Sequence, residues 1–182
     1  MSSFFTRSGD DGYTGLLGEG RVPKYHPIPD TVGALDEATA SLGLARSTCQ
    51  TEQSQQILLA VQRDLYAIMA EISASPDNAH LFRKIDPQKV TWLEEQTDRI
   101  SQFIEIPREF IVPGDSPAGA AFALARTIVR RAERQTAALV HEGIVENQEL
   151  LHYLNRLSSL CFVLELFENQ AYGKEKPTLA RE

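Results

Sequence analysis

Two stretches of the chain hold side chains whose types and spacing could do chemistry. In "AGAAFALARTIVRRAERQTAALVHE", Arg126, Arg130 and Arg134 recur at every fourth position, flanked by Arg131 and Glu133. That spacing stacks side chains along one face of a helix. Like charges so stacked repel by about a few tenths of a kcal/mol per pair, so an offsetting charge is expected. It could come from carboxylates elsewhere in the chain, from a neighbouring subunit or from a polyanionic ligand. All four cations are Arg and none is Lys, which suits forked, bidentate contacts with carboxylate or phosphate. A solvated basic face with a local Arg130–Glu133–Arg134 salt-bridge set is the simpler reading. The small residues of "AGAAFALA" favour a row set at an interface, because they let another helix approach closely.

The second stretch is "FTRSGDDGYTGLLGEGRVPK", Phe5 to Lys24, with five glycines and three basic side chains among hydroxyls and acids. It is either a tail or a loop whose backbone N–H groups wrap an anion. Further along, "LHYLNRLSS" sets Asn155 and Arg156 among leucines, which puts Asn155 near the core side, where its amide must find hydrogen-bond partners. Asp36 and Glu37 are either dipole-favoured surface acids or the carboxylates that the Arg row requires. The histidines, His26, His80, His141 and His152, show no metal-ligand spacing, and no metal site is expected.

The elements that must position these residues are helical almost throughout. A first helix is expected over "TVGALDEATASLGLAR", from about Thr31. Leu58, Val61, Leu65, Ile68, Met69 and Ile72 make one face of a second, by steps of three and four. Asp86 before Pro87 and Ser116 before Pro117 are N-cap and first-position signals for two more helices, the latter ended by Gly143. Val90, Leu93, Thr97 and Ile100 form the stripe of the former. A last helix is expected from about Glu146 to Ala171, with Leu150, Leu154, Leu157, Cys161, Leu164 and Phe167 or Glu168 as its stripe. "SASPDNAHLFRKID" and "EIPREFIVPGDSP" read as connections, and the polar residues after Gly173 as a frayed tail. Short strands around the glycine-rich loop stay open. The reading is one all-α domain over residues 1–182: a loop over 1–30, a bundle of five helices over 31–172 and a tail over 173–182.

With 182 residues, 42% of them hydrophobic, the chain can bury a real core. A net charge of −7 argues against nucleic acid or an anionic membrane as main partner. No apolar run approaches the roughly 18 residues of a membrane span. "MSSFFTRSGDDG" lacks the apolar segment of a secretory signal, so a cytoplasmic location is expected. Only Cys49 and Cys161 are present, too few for a disulfide scaffold.

Taken together, "TRSGDDGYTGL", "LDE" at Leu35 to Glu37, "FIVPGDSPAGAAFALARTIVRRAER" and "YLNRLS" resemble the ATP:cob(I)alamin adenosyltransferases of the propanediol-utilisation type, in the family's order and over nearly the whole chain. The resemblance implies a homotrimer of five-helix bundles with active sites between subunits. ATP, with Mg²⁺, would lie between the loop of one subunit and the Arg helix of its neighbour. Thr6, Arg7, Ser8, Gly9, Thr14, Gly15 and Lys24 would surround the nucleotide from the loop side. Arg130, Arg131, Glu133, Arg134 and Asn155 would do so from the helix side. Asp36 would pair with Arg126 across the interface. Phe110 would crowd the lower face of the corrin in cobalamin and keep its base from coordinating cobalt. Implied partners are a reductase and an adenosylcobalamin-dependent enzyme.

The chain departs from that pattern in places. Asp11 stands where the family has Lys, "HPI" at His26 to Ile28 replaces "DPR", Thr39 replaces an Asn, and Ser159 replaces an Asp. These departures raise the alternative of a catalytically weakened trimer that binds or delivers ATP and corrinoid. An Arg row that serves only as an assembly seam is the purely structural alternative.

Overall fold

The computed structural model describes residues 7–181, so Thr6 lies outside the described residues. The glycine-rich segment forms an antiparallel hairpin of β1 (Tyr13–Gly15) and β2 (Arg21–Pro23), with Thr14 opposite Val22. Five long helices follow: α1 (Pro27–Thr48), α2 (Glu52–Ser73), α4 (Pro87–Ser101), α5 (Pro117–His141) and α6 (Glu149–Ala171). A single turn, α3 (Ala79–Phe82), lies between α2 and α4 in a segment expected to be irregular.

The capping signals act as the sequence indicates. The Asp86 side chain accepts from Lys89 N–H and the Ser116 hydroxyl from Gly119 N–H, each satisfying an orphan donor of the first turn. Two starts differ from expectation. α1 begins at Pro27 rather than near Thr31, because His26 Nδ1 accepts from Ile28 N–H and Pro27 occupies the first helical position. α6 begins at Glu149 rather than Glu146. Asn147 is held outside the helix by bonds from its amide to Glu71 and the Ile85 carbonyl, each 3.1 Å.

α5 lies at the centre, packed along α1 on one side and α6 on the other, with α2 against α1 and α4 against α6. Gln135 bonds Asp30 at 2.6 Å, and Arg131 pairs with Glu37 one helical stretch further on, so α1 and α5 run antiparallel. The core draws on all five long helices: Leu35 and Leu42, Leu58 and Leu65, Leu93 and Ile100, Phe122 and Val129, Leu154 and Leu157 are all inaccessible to solvent. Each such side chain contributes about 1.5–3 kcal/mol relative to exposure.

Four acids, Asp64, Glu71, Glu165 and Glu168, are buried among these apolar faces, and all but Glu165 have both carboxylate oxygens engaged. Asp64 accepts from Lys89 Nζ at 2.7 Å and from Tyr153 Oη at 3.0 Å. Glu71 meets Arg83 and Asn147. Glu168 accepts from Gln50 N–H at 2.6 Å and Thr51 Oγ1 at 2.6 Å, clamping the α1–α2 turn onto α6. A buried carboxylate is tolerable on those terms. Cys49 and Cys161 are free and buried, with burial pushing both thiols up to about 12.

The residues after Gly173 are not frayed. Thr178 to Ala180 run antiparallel beside Phe110 to Val112. Val112 N–H donates to the Thr178 carbonyl at 2.8 Å and Ala180 N–H to the Phe110 carbonyl at 2.7 Å. The Asp115 carboxylate accepts from Thr178 N–H at 2.8 Å and Thr178 Oγ1 at 2.7 Å, which supplies the anchor the composition does not reveal.

Candidate functional site

The glycine-rich loop is ordered by its own polar side chains. Arg21 on β2 bonds both oxygens of Asp11 and the Ser8 carbonyl, and Asp11 also accepts from Tyr13 N–H at 3.1 Å. The hydrogen bond from Arg21, with help from Tyr13, holds the Asp11 carboxyl below the ordinary range. Lys24 donates its backbone N–H to the Gly12 carbonyl at 2.9 Å, and its side chain arches over Gly9, where a Cβ would stand 3.0 Å from Nζ. Arg7 adopts φ 61°, the left-handed region. Beyond β1 the chain is stitched to the end of α2: Leu17 N–H donates to the Ser73 carbonyl at 2.8 Å and Ser75 N–H to the Leu17 carbonyl at 3.0 Å. Gly18, at φ 117°, lies so close that a Cβ would stand 2.1 Å from Asn78 Nδ2.

This loop borders a cleft of about 360 Å³ in which Thr14 and Gly15 meet Asp36 and Gly33 of α1 and Ser73 of α2. A second cleft of about 480 Å³ lies elsewhere on the chain. It gathers Phe110 with Arg126 and Arg130 of α5 and Ser158, Ser159 and Phe162 of α6. The Phe110 ring is 89% exposed, and Arg130 is exposed as well. Arg126 is half-buried, and its Nε is enclosed with no hydrogen-bond partner among the described residues. Beneath it, burial pushes the Glu165 carboxyl up to about 7, against the pull of Arg126.

The Arg row divides between two directions. Arg131 turns to α1 and pairs with Glu37, so Glu37 rather than Asp36 supplies its carboxylate within the chain. Asp36 and Arg126 line different clefts and do not meet in one chain. The local Arg130–Glu133–Arg134 set does not form. Glu133 accepts from Asn155 Nδ2 at 2.8 Å instead, and Arg134 Nη1 donates to the Arg130 carbonyl at 3.0 Å. Asn155 is exposed, not on the core side: its amide oxygen accepts from Arg156 at 2.9 Å, and Arg156 reaches Glu94 of α4. Leu154, one residue before it, and Leu157, two after, point inward, and the sequence pattern alone does not separate the two faces. Ser158, Phe162 and Glu165 were not singled out by sequence. Their places in the run from Leu157 to Leu166 look like ordinary core; the helix's position beside Phe110 sets Ser158 and Phe162 in the cleft, while Glu165 stays buried behind Arg126.

The arrangement can cradle a polyanion, with guanidinium groups and backbone N–H groups as donors, and can stack an apolar ring on a flat ligand. Among the described residues, no three His, Cys, Asp or Glu gather as a metal site, and no helix is long and apolar enough to cross a membrane.

Comparison with known proteins meets this geometry. The chain is 34% identical over 168 residues to the corrinoid adenosyltransferase PduO of Salmonella typhimurium, covering 92% of this chain and 50% of that one, so it spans about half the length of that relative. It is 34% identical over 174 residues to the corrinoid adenosyltransferase of Mycobacterium bovis, covering 93% and 90%. Its fold superposes with a TM-score of 0.89, at 29% identity and covering 99% and 97% of the two chains, on a Phe-to-His variant of the PduO-type ATP:corrinoid adenosyltransferase of Lactobacillus reuteri complexed with cobalamin and ATP. The profile of the cobalamin adenosyltransferases matches residues 4–168, and the chain belongs to that family.

Proposed function

We propose that this protein is a corrinoid adenosyltransferase, moving the 5′-deoxyadenosyl group of ATP to cob(I)alamin and releasing triphosphate. The observation that carries the reading is the division of the site. Thr14, Gly15 and Asp36 border one cleft, while Phe110, Arg126 and Arg130 border another. Neither is complete alone, and a second copy that brings its loop cleft against the Arg cleft would join them. A homotrimer does this in a closed ring.

In the proposed reaction the electron pair of cobalt(I) forms a bond to the 5′-carbon as the carbon–oxygen bond breaks, and the pair of that broken bond leaves on the triphosphate. No general base is required. What the chain must supply is alignment of the two reactants and stabilisation of charge growing on the leaving group. Arg130, Arg134 and Lys24, with N–H groups around Gly9, are placed on exposed surfaces that suit the second task. In this reading Thr6, Arg7 and Ser8 extend the loop side, and Arg131, Glu133 and Asn155 set the spacing of the helix side. Mg²⁺ would ride mainly on the phosphates, as that ion keeps few protein ligands in such sites. Phe110 offers an apolar ring in place of a coordinating base, which leaves the opposite cobalt face free to react. Cytoplasmic location, a reductase and an acceptor enzyme for the product complete the proposal.

The test is anaerobic incubation of the chain with reduced cobalamin and ATP, followed by the light-sensitive cobalt–carbon product. Arg130→Ala should nearly abolish that product with helix content unchanged. Full activity in this variant would remove Arg130 from the site, and tight corrinoid binding without product would favour a delivery trimer.

A further inference from the structure

Phe110 has a fixed backbone and an unsupported ring. Among the described residues, the main chain of residues 105–115 makes hydrogen bonds to Thr178 and Ala180 and to no other main-chain group. The 89% exposed ring adds almost no packing of its own. Its position is therefore set by the paired segment, and that segment is held by Asp115.

Asp115 is well built for this. Its side chain is 8% exposed, it takes two hydrogen bonds from Thr178, and Lys174 Nζ lies 3.6 Å away. Burial alone would raise its pKa, but the bonds from Thr178 and the Lys174 charge outweigh that and hold the carboxyl below the ordinary range. The residue also stands on rigid ground. Its neighbour Ser116 caps α5 and donates to Asn169 of α6 at 2.6 Å, and Gly119 is packed directly on that amide. The chain of contacts therefore runs from the α5–α6 seam through Asp115 and Thr178 to the carbonyl of Phe110.

Resting on the function proposed above, we infer that Asp115 is a positioning residue for the corrinoid step: it docks residues 178–180 against 110–112 and so holds the Phe110 ring where the lower corrin face must lie. A reacting group displaced by about 1 Å can lose on the order of a hundredfold in rate, so a ring on an otherwise unpinned loop needs such a brace. ATP contacts lie outside the brace and should be insensitive to it.

The experiment uses the full chain with Asp115→Ala, with Ala180→Pro, which deletes the N–H donor to Phe110, and with Thr178→Val against Thr178→Ser. The readouts are the fraction of bound cob(II)alamin lacking an axial base, by absorption or electron spin resonance with ATP present, together with kcat and the KM for ATP. Asp115→Ala and Ala180→Pro should each cut the base-free fraction severalfold and kcat by about tenfold or more, with KM for ATP within about twofold. Thr178→Ser should match the parent and Thr178→Val should fall between. Variants that keep the parental base-free fraction and kcat overturn this inference while leaving the transferase reading intact. So do variants that lose ATP affinity or helix content in proportion, since the segment would then be a general support. A parent chain that forms neither base-free species nor product removes both.

Discussion

Arg21 grips Asp11 with both terminal nitrogens, at 2.9 and 2.8 Å, across the mouth of the β1–β2 hairpin. Asp11 is thus engaged as a fastener, and the guanidinium it holds also fixes the Ser8 carbonyl at 2.7 Å. Both partners are open to solvent, so the effect is one of loop order. Arg21→Ala should raise the KM for ATP about two- to fivefold with kcat changed less, and added salt should mute the difference. The fastener holds while Asp11 is ionised and is lost as pH falls through its lowered pKa. Steady-state kinetics at two ionic strengths checks this.

Separate clefts in one chain make a complementation prediction. Lys24→Ala and Arg130→Ala chains should each be nearly inactive alone. When the two are unfolded, mixed equally and refolded together, about a quarter of the inter-subunit sites regain both intact halves. Activity that stays at the level of the separate variants would show that both residues act within one chain.

Glu165 gives a pH signature of stability. Its carboxyl, raised to about 7 by burial, is favoured in the protonated form when folded, whereas in the unfolded chain it ionises near 4.5. Its contribution is therefore fully present below 4.5 and is lost as pH rises through about 7. Glu165→Gln should therefore gain on the parent by roughly 2–3 kcal/mol between pH 4 and pH 8. Denaturant midpoints at those two pH values provide the measurement.

Gly119 is a close-approach glycine. A Cβ there would stand 2.0 Å from Asn169 Oδ1, so Gly119→Ala must displace the amide that Ser116 bonds. The expected cost is about 1–3 kcal/mol, an overpacking effect. In a chain of this size that lowers Tm by about 3–10 °C by calorimetry.

What could be read in the sequence was what local chemistry decides. Asp86–Pro87 and Ser116–Pro117 mark their helices because cap and first turn are adjacent in the chain. The face from Leu58 to Ile72 is legible because one helix's burial repeats with its own turn. The motifs from Thr6 to Ser158 point to the family because each is a contiguous run of residues. What long-range partners decide was not legible. Glu168 sits in a stripe of leucines because residues 50 and 51 need an acceptor there. The segment after Gly173 looks like a loose end because its anchor, Asp115, lies 63 residues earlier. Asn155 reads as core-side because its partner, Glu133, belongs to another helix.

The stitch between Leu17 and the end of α2 is made by main-chain groups alone. No side-chain identity is written into it, so the half-exposed position 17 is free to drift over evolutionary time while the hairpin keeps its berth. Gly18 is the exception: with Asn78 and Ser75 pressed against it, any heavier residue would prise the hairpin from its mooring. A survey of random substitutions across the hairpin side of this patch should find tolerance at Leu17 and none at Gly18.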